Sequence, residues 1–276
     1  MLFEQAFMAL PEFLTGTPFK RYQFEGTVVT AFAMAVLQEL NSRNVQNPIS
    51  LLRSEVEYPL DRAKRADLHI DLQSLGLIND ALKSYGYFDN NWLEAKYCRL
   101  GPSGSPVTTP LVSTYLLLKD LIRLCCLVPD TTIDSEYSAS GRYLLHAYQR
   151  ESGLYLVRTR KQHGRHVQRA WIDSLLRSGK QEVRVDDLNR ENTKTFNSCI
   201  GRKARHLKIE ATLTNLAHET RNGTDEVYYI VLTRIDDFKI SFGRRCWIKR
   251  ENGIMHESHN GHLVLLPKII SQVLTA

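Results

Sequence analysis

The spacing of apolar residues changes character several times along the chain, and each change predicts an element. Residues 12 to 24 are mixed, with Gly16 and Pro18 as breakers. From Gly26 to Ser42 the run GTVVTAFAMAVLQELNS is apolar around most of a helical surface, which predicts a helix buried on more than one side. Ser50 to Leu60 alternates as an edge strand does and ends at Pro59. Arg65 to Leu72, RADLHIDL, puts Ala66, Leu68, Ile70 and Leu72 on one face and Asp67, His69 and Asp71 on the other, which is the period of a strand. A short helix is expected within residues 73 to 90, followed by a turn over Tyr85 to Asn91. Trp92 to Leu100, WLEAKYCRL, is the next strand, closed by Gly101-Pro102. Pro110 to Leu127 is a strongly apolar helix stopped by Pro129, and Arg142 to Gln149 a short strand. The predicted order is helix, strand, strand, strand, helix, strand.

The second half is less regular. Val157 to Arg169, VRTRKQHGRHVQR, is basic, and Ala170 to Leu176 predicts a short helix. Strand-like runs occur at Glu182–Val185, Leu207–Leu213, Val227–Thr233 and His262–Leu266. A boundary near residue 150 would divide a core, 1–150, from a basic β-rich region, 151–276; equally, the later strands can extend the first sheet. No internal repeat or low-complexity tract is visible.

Composition narrows the class. The chain has 276 residues, 43% hydrophobic and 24% charged, enough to bury a core and too apolar for disorder. Five cysteines include the adjacent pair Cys125-Cys126 and form no CxxC, which argues against a disulfide framework or a structural zinc site. Met1 to Pro11 lacks a basic leader-like start, and the longest apolar run, Thr27 to Leu37, is too short to span a bilayer. A cytoplasmic location away from membranes is the expectation. The net charge of +6 favours a polyanionic partner. No GxGxxG, Walker-type loop, GxSxG or HExxH is present, which removes support for nucleotide hydrolases, serine hydrolases and zinc proteases.

The residues that carry candidate chemistry are acidic. Metal-assisted hydrolysis of a phosphodiester needs oxygen ligands for a hard cation, a group that orients water, and positive charge near the phosphate. Glu94 and Lys96 are two apart, so on a strand both project from one face, with small Ala95 on the other. Asp67 lies 27 positions earlier (94 minus 67) on a strand that can pair with this one. Asp67 and Glu94 would bind Mg2+ or Mn2+, and Lys96 would orient water or balance charge. Asp71 shares the face of Asp67 and is the alternative acid. An ExK triplet on a solvated strand face is the plain structural account of the same residues.

This constellation resembles the PD-(D/E)XK nuclease superfamily. The resemblance rests on Asp67 in RADLHIDL, on Glu94-Ala95-Lys96 in WLEAKY, and on the element order, and it covers about residues 20 to 150. It implies a restriction-endonuclease-like α/β fold with a mixed central sheet flanked by helices, and Mg2+-dependent cleavage of DNA, restriction-type or related. In many members an acid near the start of the first core helix serves the metal, and Glu25 looks similar; acids are also favoured at helix N-termini for purely structural reasons. Tyr58-Pro59 and the segment Lys119-Asp120-Leu121-Ile122-Arg123-Leu124 also look like features of related nucleases. Residues 151 to 276 carry no such resemblance.

Other residues fill secondary places. His69 is expected to line the cleft, Glu55 and Glu57 to lie on a solvated edge, and Glu39, near the end of the first helix, to be a poorer choice than Glu25. Three basic clusters are candidates for DNA phosphate contacts: Arg158, Arg160, Lys161, His163, Arg165, His166 and Arg169; Arg202, Lys203 and Arg205; Arg244, Arg245, Lys249 and Arg250. Trp247 is placed to stack on a base. DNA is the expected partner and a homodimer the expected assembly, because a duplex presents two strands with two-fold symmetry. One rival is a non-catalytic nucleic-acid-binding protein that uses its basic second half; a second is an interaction or structural protein whose basic charge is incidental.

Overall fold

In the computed structural model the described residues are 2–15, 25–76, 82, 87–130, 139–162, 165–186, 188–190, 193–221, 227–242 and 246–258. Two helices come first, α1 (Leu2–Thr15) and α2 (Glu25–Ser42), then three strands, β1 (Leu52–Tyr58), β2 (Asp61–Asp71) and β3 (Asn90–Cys98). Helix α3 (Pro110–Leu127) leads to β4 (Ser140–Gln149). The second half holds the hairpin β5 (Thr159–Gln162) and β6 (Arg165–Gln168), α4 (Ala170–Leu176), β7 (Gly179–Val185), α5 (Lys194–Cys199), the long strands β8 (Leu207–Arg221) and β9 (Val227–Phe242), and the hairpin β10 (Cys246–Glu251) and β11 (Ile254–Ser258). The predicted order over residues 25 to 149 is the observed one. The run His262–Leu266 lies outside the described residues, as does half of the segment 73–90 in which a short helix is expected.

Helix α1 was not predicted. Leu2, Phe3, Ala6, Phe7, Leu10 and Leu14 are buried at helical spacing, and the Phe3 ring meets Phe32 of α2 and Tyr143 of β4 at centroid distances of 5.2 and 4.6 Å. Glu4 on the same helix pairs with Arg234 of β9 at 2.9 Å, which ties α1 to a strand 230 residues away.

Nine of the described strands form one mixed sheet, in which β3 and β4 are parallel and the other pairings antiparallel. Helix α3 connects the parallel pair, as a parallel connection requires. Strand β9 is the long spine. One edge pairs with β8 over Val227–Phe242, so β4 and β10 must share the other, meeting Tyr228–Arg234 and Phe238–Phe242 respectively. The strands of the second half therefore continue the sheet of the first.

The sheet separates two apolar layers. Leu68, Ile70, Leu93, Ala95, Tyr143, Leu145 and Ala147 pack with α1 and α2; Trp92, Leu144 and Tyr148 pack with α3 and the elements of the second half. Both faces of β4 are covered, so nine of its ten residues are buried, the polar Ser140, Arg142 and His146 among them. At the junction of β4 and β10, Asp130 accepts from Arg142 at 2.8 Å, from Arg250 at 2.7 Å and from the Ser140 amide at 2.8 Å. The other guanidinium donors of both arginines go to backbone carbonyls, including Leu124, Val128 and Ile235. This closed polar network pins the β10–β11 hairpin to the end of α3.

Candidate metal and catalytic site

The β2–β3 ladder has its last paired residues at Leu68 and Leu93. Beyond that point the Asp67 carboxylate enters between the strands, and its Oδ2 accepts from the Ala95 amide at 2.6 Å. A side-chain oxygen thus takes a central-strand N–H at the end of the ladder. On β1, Glu55 stands opposite this region with a positive φ of 52°, in the left-handed region.

Glu94 faces the α3 layer and is buried. Its Oε1 accepts from the Tyr58 hydroxyl at 2.7 Å, and its Oε2 lies 3.8 Å from Arg123 Nη1. Lys96, two residues on, projects to the same side. Its Nζ donates to Glu25 Oε2 at 3.0 Å and approaches Asp120 Oδ2 at 3.4 Å, the latter without a well-directed hydrogen bond. Glu25 Oε2 also accepts from the Tyr97 amide at 3.3 Å. Asp120 Oδ1 in turn lies 3.4 Å from Arg123 Nη1. The side chains form a chain of alternating charge from Glu25 through Lys96, Asp120 and Arg123 to Glu94.

Each element brings one part. Glu25 is the first residue of α2, where the helix end favours a carboxylate. Asp120 and Arg123 are three apart on α3 and share a face toward β3. Tyr58 closes β1 and stacks on Trp92 at 5.5 Å.

Four carboxyls, Glu25, Asp67, Glu94 and Asp120, meet two cations here, Lys96 and Arg123, and burial is the main influence on their protonation. Burial pushes Asp67 up to about 6 despite the bond from the Ala95 amide, and the charges of Glu25 and Asp120 add to the effect. Burial raises Glu94 well above the usual carboxylate range, with Asp120 and Asp67 contributing and Arg123 and Tyr58 opposing. Asp120 is raised by burial against the pull of Lys96 and Arg123. Burial alone would lower Lys96, but Asp120 and Glu25 outweigh it and hold the ammonium charged.

Two clefts meet at Glu25. One of about 220 Å3 is lined by Glu25, Thr30, Glu55 and Asp67; the other, of about 290 Å3, by Glu25, Lys96, Arg99, Ser113 and Tyr155. Among the described residues no three carboxylate, imidazole or thiol groups already converge as the shell of an ion; the Lys96 ammonium stands between Glu25 and Asp120.

No family model, no curated protein and no solved structure matches this chain.

Of the residues singled out in the sequence, Asp67, Glu94, Lys96 and Glu25 come together. Asp71 does not join them. Its register partner is Asn90, at the far end of the ladder, and its Oδ1 accepts from the Gln73 amide at 3.0 Å to start a turn. His69 is buried against the Trp92 ring at 4.1 Å and meets Asn90, and it lines neither of the two clefts at Glu25. Glu39 pairs with Arg43 at 2.8 Å, and Glu57 with Arg65 at 3.6 Å across the β1–β2 hairpin.

The basic clusters divide. Arg158 is exposed near Asp173, and Arg202 is exposed. Arg160, Lys161, Arg165 and His166 lie on the β5–β6 hairpin, where the backbone alone is described. Lys203 falls in a short helical turn, again with only its backbone described, and half-buried Lys249 pairs with Glu251. His163, Arg244 and Arg245 lie outside the described residues. Two expectations are corrected. Arg169 is buried with its guanidinium over the Tyr115 ring at 5.6 Å, and Arg250 is buried on Asp130, so neither offers a surface to phosphate. Trp247 carries Lys239 over its ring at 5.7 Å. No helix among the described residues is long and apolar enough to cross a membrane.

Proposed function

We propose that this protein is a metal-dependent nuclease that hydrolyses DNA phosphodiester bonds, restriction-type or related in character, with Asp67, Glu94 and Lys96 as its working residues. The observation that carries the reading is the convergence at the end of the β2–β3 ladder. An acid from each of two neighbouring strands stands beside a charged lysine, and the site opens at Glu25 into two clefts.

A divalent cation fits the donor set. The ligands on offer are carboxylate oxygens, which suit Mg2+ or Mn2+. The site also sets four carboxyls, Glu25, Asp67, Glu94 and Asp120, against two cations; burial chiefly, and the neighbouring acids in addition, raise Asp67, Glu94 and Asp120, and a dication would relieve both. Asp67 and Glu94 would hold it; Glu25 is the further acid within the site. When bound, such an ion supplies Lewis acidity and lowers the pKa of an attending water.

The protein's own groups supply the rest. The Ala95 amide fixes the Asp67 carboxylate, and the Tyr58 hydroxyl fixes one oxygen of Glu94. Lys96 keeps its ammonium charged beside the acids, placed to orient water and to offset charge developing on the phosphate. The net charge of +6 favours approach of a polyanion, and a homodimer would present two such sites to the two strands of a duplex.

A crystal soaked in Mn2+ tests the site. Anomalous density between Asp67 and Glu94, within one water of Lys96, is the expected result. Metal bound only elsewhere, or displaced to the Asp71 turn, removes the assignment.

A further inference from the structure

Lys96 is held by carboxylates from two different helices, Glu25 of α2 and Asp120 of α3. Glu25 holds it from the start of α2 with a side chain about 41% exposed. Asp120 holds it from the middle of α3 with a side chain about 4% exposed. A lysine ammonium ends a flexible four-carbon stem, so a single solvent-facing partner leaves its position loosely defined. A second, buried carboxylate from another helix restricts that freedom.

We infer that Asp120 is a positioning residue, which with Arg123 forms a bracket on α3 that fixes Lys96 and Glu94 relative to one another. Three observations carry this. Asp120 Oδ2 approaches Lys96 Nζ at 3.4 Å while Oδ1 faces Arg123 Nη1 at 3.4 Å, so one carboxylate spans both cations. Arg123 reaches Glu94 Oε2 at 3.8 Å, which joins the bracket to the second residue of the triplet. Asp120 Oδ2 is buried with no directed hydrogen bond of its own, an expensive arrangement in the middle of an apolar helix. The apolar face around it, Leu117, Leu121 and Leu124, packs into the sheet and makes the bracket rigid. The inference rests on the nuclease reading, because its consequence is the placing of Lys96 against a phosphate.

The test uses the full chain, a mixed-sequence supercoiled plasmid and Mn2+, comparing wild type with Asp120→Asn and Asp120→Glu. Asp120→Asn is isosteric and is expected to fold with a Tm near that of wild type. It should lower kcat about 10- to 100-fold, the scale of a misplacement of about 1 Å, while KM for the plasmid and the Mn2+ half-saturation stay within about twofold. Asp120→Glu, which keeps the charge, should recover most of the rate. A folded Asn variant with kcat within about threefold of wild type overturns the positioning role. So does a loss that falls equally on KM, or a folded Glu variant no faster than Asn. If Asn does not fold, Glu decides alone: folded and at least a tenth as fast as wild type supports the role, and folded but inactive overturns it. Absence of cleavage by wild type removes the nuclease reading itself, an outcome distinct from every other.

Discussion

The Tyr58 hydroxyl donates to Glu94 Oε1 at 2.7 Å, joining the last residue of the edge strand to the buried acid of the central one. Removing that donor leaves a buried carboxylate oxygen without its hydrogen bond. Tyr58→Phe is expected to cost about 1–3 kcal/mol of stability, the range for an orphaned buried polar group. At about 2–4 °C per kcal/mol for a chain of this size, thermal unfolding will show a drop of several degrees. A Tm unchanged within a degree would mean that Glu94 has another partner.

Asp67 makes stability depend on pH in a direction opposite to the usual carboxylate. Its folded pKa, about 6, lies above the ordinary value, so between pH 4 and 6 the native state binds the proton more tightly than the unfolded chain. The contribution of Asp67 is therefore most favourable at the acid side and is lost as pH rises through about 6. Asp67→Asn should stabilise the metal-free protein at pH 8, by an amount on the order of 1–3 kcal/mol, and change it little at pH 4. Urea titrations of both proteins across that range measure the difference; a gain that is largest at pH 4 would contradict the assignment.

A bound divalent cation should reverse that cost. Stabilisation grows with ligand concentration, reaching about 2.7 kcal/mol at a hundredfold excess over Kd. Mg2+ or Mn2+ in the millimolar range is expected to raise the wild-type Tm by several degrees and to leave Glu94→Ala unmoved. Equal shifts in the two proteins would place the ion elsewhere.

Asp130 anchors two buried guanidinium groups, and neither has a second carboxylate within the described network. Asp130→Ala breaks a buried ion pair from one side, which costs on the order of 3–5 kcal/mol. Chemical denaturation should report that loss, and limited proteolysis should find the β10–β11 hairpin newly susceptible. A loss below about 1 kcal/mol would show that the backbone carbonyls alone suffice for Arg142 and Arg250.

What the sequence made legible follows from which signals are local. The two-residue spacing of Glu94 and Lys96 is a property of a single strand, and β3 reproduces it; in β2 the alternation holds from Leu68 to Leu72, whereas Ala66 packs in the other layer, beyond the point where the Asp67 carboxylate enters the ladder. The ends of α3 and α4 coincide with prediction because Pro110, Pro129 and the apolar runs mark them. Helix α1 has its signal too, since Phe3, Phe7, Leu10 and Leu14 are spaced as a buried stripe, a pattern that leader-like charge does not register. Strands β8 and β9 run well past their predicted ends because residues such as Asp236 and Asp237 break the apolar pattern while the ladder continues. Asp120 and Arg123 were visible as two charges three apart inside an apolar helix, yet which strand they face is a matter of packing. Arg169 and Arg250 read as surface charge for the same reason. Their partners, the Tyr115 ring and Asp130, lie far away in the chain.

Metal-dependent cleavage is the central claim, and a single-turnover assay tests it most directly. Wild-type protein is incubated with long mixed-sequence duplex DNA and Mg2+ or Mn2+, beside Glu94→Ala and Lys96→Ala. The account predicts cleavage by wild type that EDTA abolishes. Each variant should be at least about a hundredfold slower while still binding DNA, the scale seen when one stabilising group is removed from such a site. No metal-dependent cleavage by wild type on duplex, junction or single-stranded DNA, or full activity in both variants, would contradict it.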